Sequence, residues 1–194
     1  MHLAKSISIF AVLNLHYTTA IPTRPSPPTA CTTVSPTIAH IDALHPTEAY
    51  IQGVQISQEA HGTNKQDMLA EFTVPPGVWG CTLSYSFPAG NHVSNTAEGN
   101  WAAPVEVFSV NGPLSRSEGG IVDVTWDDAP EPVRQVGSVQ FQSDERGEVN
   151  RAINSFACEE NMSYRFSISE GYEKEAKVGF EQGDGVGLMM TYNC

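Results

Sequence analysis

Hydrophobic and polar residues alternate along several short stretches of the chain. Residues 81–87 (CTLSYSF) place Cys81 and three large apolar side chains in one phase, and three hydroxyl residues in the other. Residues 162–169 (MSYRFSIS) and 186–194 (VGLMMTYNC) repeat the pattern. In an extended chain, successive side chains point to opposite faces, so alternation is typical of a strand with one buried and one wet face. These stretches therefore predict β-strands.

Weaker alternation predicts further strands at 50–57, 68–74, 105–110, 121–126, 138–143 and 176–182. The segment 146–155 is ambiguous, and we find no amphipathic helical stretch of convincing length. Pro75-Pro76-Gly77 separates two strands because proline cannot donate into a ladder. Gly183-Asp184-Gly185 predicts a tight hairpin over 180–188, since these residues tolerate positive φ. The pattern as a whole predicts an all-β fold, an antiparallel β-sandwich of about nine short strands.

The first 47 residues depart from this pattern. Residues 1–20 combine Lys5, an apolar run over 7–15 and a small-residue site ending at Ala20, which predicts a signal peptide. The apolar run is too short to span a bilayer. Residues 21–47 begin with a Pro/Thr-rich stretch, which predicts an extended, flexible N-terminal segment. The sandwich domain is then expected over 48–194.

The charge of the chain narrows the classes of partner. Ten basic residues stand against 22 acidic ones, a formal net charge of −12 over 194 residues. Such a surface repels nucleic acid and anionic lipid, so neither nucleic acid nor a membrane is an expected partner. Hydrophobic residues make up 40% and charged residues 16%, which is typical of a soluble globular protein. A cell-wall polysaccharide or another extracellular protein is the expected kind of partner.

The four cysteines are Cys31, Cys81, Cys158 and Cys194. An even number in an exported protein favours two disulfides, and the sequence leaves all three pairings open. No two cysteines lie close together, as structural zinc sites require. Cys81 begins a strand in its core-facing phase and Cys194 ends one. We therefore expect structural clamps and not reactive thiols.

Three stretches over about residues 68–194 jointly resemble the But-two C-terminal domain family, named for a fungal ubiquitin-pathway binding protein. They are FTVPPGVWGCTLSYSFP, VTWDDAPEPVRQVGSVQF and GVGLMMTYNC. The shared pattern is a V-P breaker before C-x-L-x-[FY]-x-F, a T-W near an acidic-Pro loop, an F-x-C ending at Cys158, and a terminal Y-x-C. Where the family has C-P-x-G, this chain has Cys158-Glu159-Glu160. The resemblance implies a fold family with many secreted fungal members, and its name implies binding to a ubiquitin-pathway component.

Acidic residues are the main candidates for chemistry. Asp127 and Asp128 in the DDAPEP loop, and Asp184 in the GDG turn, are weak calcium candidates, since neither loop has D-x-D-x-D-G spacing. Pairs of carboxylates also make glycoside hydrolysis a candidate activity, because this reaction needs two carboxyl groups about 5–10 Å apart. The histidines after residue 20 lack H-E-x-x-H spacing, and G-x-S-x-G is absent. We expect no catalytic residue, no cofactor and no metal.

Two tryptophans are candidates for ligand binding. Trp79 and Trp101 lie in turn-rich segments, where an exposed indole can stack on a sugar ring. The alternative is that both fill gaps between loops and core. Trp126 shares its phase with Val122 and Val124, so we expect it in the core.

One N-glycosylation sequon is present, Asn161-Met162-Ser163. With Met162 facing inward, Asn161 and Ser163 are expected to face water, which is consistent with glycosylation of Asn161.

These observations predict a secreted, non-catalytic extracellular or cell-wall-associated protein that acts through surface binding. A carbohydrate-binding module using Trp79 or Trp101 is the first alternative, and it requires an exposed indole. A carboxylate-dependent glycoside hydrolase is another, and it requires a cleft with convergent polar residues. A ubiquitin-pathway binding protein, implied by the family resemblance, requires a cytosolic pool.

Overall fold

The computed structural model describes residues 31–50, 53–97 and 102–194, and these form a sandwich-like arrangement of two antiparallel sheets. The prediction of an all-β fold is confirmed. Within these ranges there is no α-helix, only a 3₁₀ turn at Ala60–Gly62. The strands in the described residues are β1 (Thr32–Val34), β2 (Thr37–Asp42), β3 (Val54–Glu59), β4 (Thr63–Thr73), β5 (Cys81–Phe87), β6 (Ser94–Ala97), β7 (Val105–Val110), β8 (Pro132–Val139), β9 (Val149–Phe156), β10 (Asn161–Ile168), β11 (Ala176–Phe180) and β12 (Gly187–Tyr192).

The described strands divide into a smaller and a larger sheet. The smaller sheet has the order β1-β12-β5-β9, and the larger has β6-β11-β3-β4-β10-β7-β8 with β2 beside β4. Strand β4 joins three neighbours because it is 11 residues long. Its residues 68–73 pair with β10, and Thr63 and Gln66 pair with β3 along the same edge, while β2 pairs with the opposite edge over 66–71.

The main core lies between the two sheets and is rich in aromatic side chains. Phe141 is its central contact: its ring centroid is 5.2 Å from that of Tyr85 and 4.8 Å from that of Phe180. Fully burying a side chain of this size contributes roughly 1.5–3 kcal/mol. The other large, fully buried side chains include Phe72, Phe87, Phe166, Ile56, Met68, Leu83, Leu188 and Met190.

A second, smaller core covers the outer face of the larger sheet. The connection over residues 111–131, here called the covering segment, packs Leu114, Val122 and Val124 against the sheet residues Ile41 and Leu69. The covering segment folds back on itself through backbone hydrogen bonds between residues 115 and 123 (2.9 Å) and between 117 and 121 (2.9 Å). The larger sheet is therefore buried on parts of both faces.

The strand predictions are partly confirmed. Strands β5 and β7 have the predicted bounds, 81–87 and 105–110, and the ambiguous segment 146–155 contains most of β9. The strand predicted at 121–126 is wrong, because the alternation of Val122 and Val124 there belongs to the covering segment. The strand predicted at 138–143 is also misplaced, since β8 ends at Val139 and leaves Phe141 in the following loop.

The flexible segment predicted over 21–47 is wrong for its described part. Residues 31–47 contain β1 in the smaller sheet and β2 in the larger one, and Ile41 is fully buried. The sandwich therefore begins well before residue 48, because strand pairing and burial of Ile38 and Ile41 outweigh the Pro/Thr-rich composition. The predicted signal peptide, 1–20, and residues 21–30 lie outside the described residues.

The hairpin predicted over 180–188 is half right. The turn forms, with the Gly183 amide donating to the Val186 carbonyl at 3.0 Å and Gly185 at φ +70°. The strands on either side do not pair with each other, because β11 belongs to the larger sheet and β12 to the smaller one. The Gln182 side chain bonds both the amide and the carbonyl of Leu188, so it takes the place of a ladder partner at this crossing.

Two disulfides join the predicted cysteines, in a pairing that the sequence left open: Cys31–Cys194 and Cys81–Cys158. Cys81 is fully buried, as its phase predicted. The first disulfide links the residue before β1 to a residue just after β12. The second links the start of β5 to the connection between β9 and β10. The clamp interpretation is confirmed, since none of the four is a free thiol.

Candidate binding surfaces

Trp79 is the most exposed large aromatic side chain in the described residues, at 61%. It lies on the connection between β4 and β5, next to Val78, which packs against the main core. Its amide donates to Asn193 Oδ1 at 3.2 Å, and its carbonyl accepts from the Asn193 amide at 2.8 Å. Asn193 is itself held by its neighbour Cys194, which is disulfide-bonded to Cys31. The backbone of Trp79 is thus fixed while its indole stands in solvent.

The other two tryptophans differ from Trp79. Trp101 lies outside the described residues, so the binding role predicted for it stays a prediction. Trp126 was expected in the core, and this is only partly right. It is half-buried at the margin of the second core, and the Arg165 guanidinium lies 4.8 Å from its ring centroid.

A cleft of about 240 Å³ lies on the outer face of the larger sheet, beside Trp126. We call it the acidic cleft. Asp67, 2% exposed, lies in its wall and accepts a hydrogen bond from Arg165 Nε to Oδ2 at 2.7 Å. Glu106 Oε1 accepts from Ser169 Oγ at 3.0 Å. The acidic cleft is lined by Lys65, Asp67, Glu106, Phe108, Trp126, Glu131, Pro132, Arg165, Ser167, Ile168 and Glu170.

A larger cleft of about 490 Å³ opens where the edge strands β8 and β9 separate. The two strands approach closely at Gly137, where an added Cβ would lie 2.9 Å from Ile153 Cγ2. They then diverge, and the gap is floored by Met162 and Tyr164. Burial, with a smaller contribution from Glu159, holds the pKa of Tyr164 far above its ordinary value, so its hydroxyl is neutral at physiological pH.

The predicted calcium candidates are not brought together. Asp128 Oδ1 accepts from the Thr125 amide at 2.6 Å and from its hydroxyl at 2.8 Å, so this carboxylate closes a turn. Asp127 is exposed beside it, and Asp184 is exposed in the turn before β12. Within 31–50, 53–97 and 102–194, no group of three acidic, histidine or cysteine side chains is placed to hold a metal ion.

The sequon is partly as predicted. Asn161 is exposed at the start of β10, and its Oδ1 accepts from Thr73 Oγ1 at 3.3 Å. The expectation that Ser163 faces water is wrong, since it is 4% exposed. It lies opposite Glu71 in the β10–β4 register, and the covering segment closes over Glu71 through the Leu114 amide.

No pattern in the sequence predicted the acidic cleft. Asp67, Glu106 and Arg165 lie on three different strands, far apart along the chain. In the alternating pattern of its strand, each of the three takes a position that is expected to face solvent. The sequence therefore predicts three ordinary surface charges. Only the covering segment and the strand order make this part of the face a partly enclosed site.

The fold and the cysteines define the class of this protein: a disulfide-bonded antiparallel β-sandwich. No family model matches the chain, and no curated protein matches it closely enough to count as a relative. The resemblance to the But-two C-terminal domain family stays a prediction. The described residues contain no helix with the length and apolar composition of a transmembrane segment.

Proposed function

We propose that this protein is a secreted, non-catalytic binding protein that makes contact with its partner through Trp79. The observation that carries the proposal is the 61% exposure of an indole whose backbone is hydrogen-bonded to Asn193. A large aromatic side chain on a fixed backbone loses little conformational entropy on binding. Tryptophan is also among the residues that most often dominate binding energies.

Three features support export. Residues 1–20 have the composition of a signal peptide. Two disulfides are typical of proteins in oxidising compartments. Asn161 is exposed, as a glycan acceptor must be.

We propose a neutral cell-wall polysaccharide as the partner. The flat face of an indole stacks on a sugar ring and contributes roughly 0.5–1.5 kcal/mol beyond the area that it buries. The net charge of −12 disfavours polyanionic polysaccharides. A single stacking contact is weak, but a polymer offers many equivalent sites.

The test compares Trp79→Ala with Ile121→Ala, a matched change at another exposed hydrophobic residue, 55% exposed, on the covering segment. Binding of each protein to insoluble β-glucan, chitin and cellulose is measured by depletion from solution. We expect Trp79→Ala to weaken binding about fivefold, which corresponds to about 1 kcal/mol, and Ile121→Ala to leave it unchanged. Equal binding by all three proteins, or no binding to any polysaccharide, would overturn the carbohydrate proposal.

Two further measurements address the other hypotheses. Incubation with the same polysaccharides should release no reducing ends, and release would favour the glycoside hydrolase. Expression in a eukaryotic host should place the protein in the medium with a glycan that Asn161→Gln removes. A stable unglycosylated pool in the cytosol would instead favour the ubiquitin-pathway role that the family resemblance implies.

A further inference from the structure

One buried carboxylate oxygen in the wall of the acidic cleft accepts no hydrogen bond from the described residues. Asp67 is 2% exposed, and its Oδ2 is bonded to Arg165. Its Oδ1 is also buried and has no hydrogen-bond partner among the described residues. Leaving a buried acceptor without a donor destabilises a fold, more so when the acceptor is charged. A ligand that brings a donor to Oδ1 would remove this cost.

The floor of the cleft is built from three adjacent strands. In the β10–β7 pairing Ser167 lies opposite Glu106. In the β10–β4 pairing Phe166 lies opposite Met68, so Asp67 continues the row on the other side of Ser167. Asp67 and Glu106 thus flank Ser167 at two strand spacings, about 9.6 Å between backbones. Acceptor groups therefore stand on both sides of a site about one small molecule wide.

One wall of the cleft is aromatic. Trp126 and Phe108 both line it, and Arg165 lies against the Trp126 ring while holding Asp67. Arg165 therefore fixes the position of the carboxylate relative to the ring. An aromatic wall beside a row of acceptors suits a molecule with a C–H face and a polar edge, as a sugar ring has.

The charge of the cleft selects among such molecules. Four carboxylates line it, on Asp67, Glu106, Glu131 and Glu170. Among the described residues, two cationic side chains accompany them, those of Lys65 and Arg165. The excess of negative charge attracts a cation and repels an anion. A ligand with an ammonium group supplies both the charge and the hydrogen-bond donor.

Size restricts the ligand further. The volume of about 240 Å³ is below the range of roughly 300–1,000 Å³ that is usual for drug-sized ligands. We propose that the acidic cleft binds a single amino-sugar residue, whose ammonium group donates to Asp67 Oδ1. This site is separate from Trp79 and does not depend on the polysaccharide surface proposed above. The amino sugar could be free or the end of a deacetylated chitin chain.

The test is a titration followed by the amide resonances of the ¹⁵N-labelled protein. The ligands are glucosamine, glucose, N-acetylglucosamine and a chitosan oligomer. We expect glucosamine to shift the amides near Asp67 and Ser167, with an affinity about tenfold above those of glucose and N-acetylglucosamine, which lack the ammonium group. Stronger binding by the oligomer than by glucosamine would identify the chain end as the source, and equal binding the free sugar.

Variants separate the cleft from the rest of the surface. Asp67→Asn keeps the shape and removes the charge, so it should abolish the preference for glucosamine. Because that change also leaves Arg165 without its ion pair, Glu131→Gln at the exposed rim is a second variant, expected to weaken binding several-fold. Asp184→Asn, an equal charge change in a distant turn, and Trp79→Ala should both leave glucosamine binding intact.

The proposal is overturned by any of three results. The first is equal binding of glucosamine and glucose. The second is the absence of any shift of a cleft resonance at tens of millimolar glucosamine. The third is that calcium shifts the same resonances to saturation and competes with glucosamine, which would identify a metal site. Loss of polysaccharide binding in Trp79→Ala bears only on the function proposed above.

Discussion

At the scale of single residues, Asp42 shows how a buried acid is kept ionised. Burial on its own would raise the pKa of Asp42, but hydrogen bonds from His45, from the Leu44 amide and from Gln66 outweigh burial and lower the pKa. His45 Nδ1 lies 3.0 Å from Asp42 Oδ2. This hydrogen bond is the main cause that raises the pKa of His45 above its ordinary value of 6.5.

The hydrogen bond between Asp42 and His45 should make the stability of the fold depend on pH. Asp42→Asn should lower the pKa of His45 toward 6.5, as followed by NMR of the histidine ring. In the native protein, the raised pKa means that the contribution of His45 to stability is present below pH 6.5 and is lost as pH rises through its folded pKa. The lowered pKa of Asp42 means that its contribution is present above pH 3.8 and is lost as pH falls through its folded pKa. The pair therefore stabilises most at mildly acidic pH.

Glu48→Gln is the control for this prediction, because Glu48 raises the pKa of His45 only through its charge. It should shift the histidine less than Asp42→Asn does. An unchanged His45 pKa in Asp42→Asn would show that the hydrogen bond is not formed in solution.

At the scale of elements, the covering segment is attached to the larger sheet through Glu71. Glu71 is 3% exposed, and its Oε2 accepts from the Leu114 amide at 2.6 Å. Its Oε1 accepts from Arg116, which lies on the same segment. Burial of Val122 and Val124 adds an apolar contribution. One buried carboxylate and a small apolar patch therefore attach the first part of the segment, residues 114–124, to the sheet.

Removal of the arginine should loosen this segment selectively. Arg116→Ala leaves the buried Glu71 carboxylate with fewer donors, which we expect to destabilise by about 1–3 kcal/mol. Hydrogen exchange should accelerate over residues 114–124 and change little in β5 and β12. Arg134→Ala, at an exposed arginine on β8, is the control and should leave the exchange pattern unchanged. Uniform acceleration across the sandwich would instead mean that the segment unfolds together with the sheets.

At the scale of the whole molecule, the disulfides close two long loops. Cys31–Cys194 spans 163 residues and Cys81–Cys158 spans 77. In the chain-entropy account, a disulfide stabilises by restricting the unfolded chain, and its effect grows only with the logarithm of loop length. Loops of these lengths correspond to about 4–5 kcal/mol each.

The two disulfides should therefore matter about equally, although Cys81 is fully buried and Cys31 is exposed. We expect Cys81→Ala/Cys158→Ala and Cys31→Ala/Cys194→Ala to lose similar free energies of unfolding, measured by urea denaturation. The second variant should also loosen Trp79, because Asn193 adjoins Cys194. A much larger loss for the buried pair would show that packing, and not the unfolded chain, dominates the effect.

The sequence alone determined most of the local structure. Alternation located β5 and β7 because each residue in a strand reports its own face, whatever the strand pairs with. Positive φ at Gly185 made the turn before β12 predictable from the Gly-Asp-Gly run. The predicted signal peptide and the even cysteine count predicted that the four thiols pair. The exposed Trp79 was also a candidate from its turn-rich surroundings.

Only the tertiary structure decided what lies over each face and which distant segments meet. The alternation of Val122 and Val124 predicted a strand, but these residues belong to a connection that packs on the outer face of the larger sheet. Ser163 and Asp67 take positions that the alternation predicts to face solvent. Both are buried, because the covering segment and neighbouring strands enclose them. The disulfide pairing and the acidic cleft depend on contacts between residues far apart along the chain. A local pattern records the direction of a side chain, whereas burial depends on what the rest of the chain brings to it.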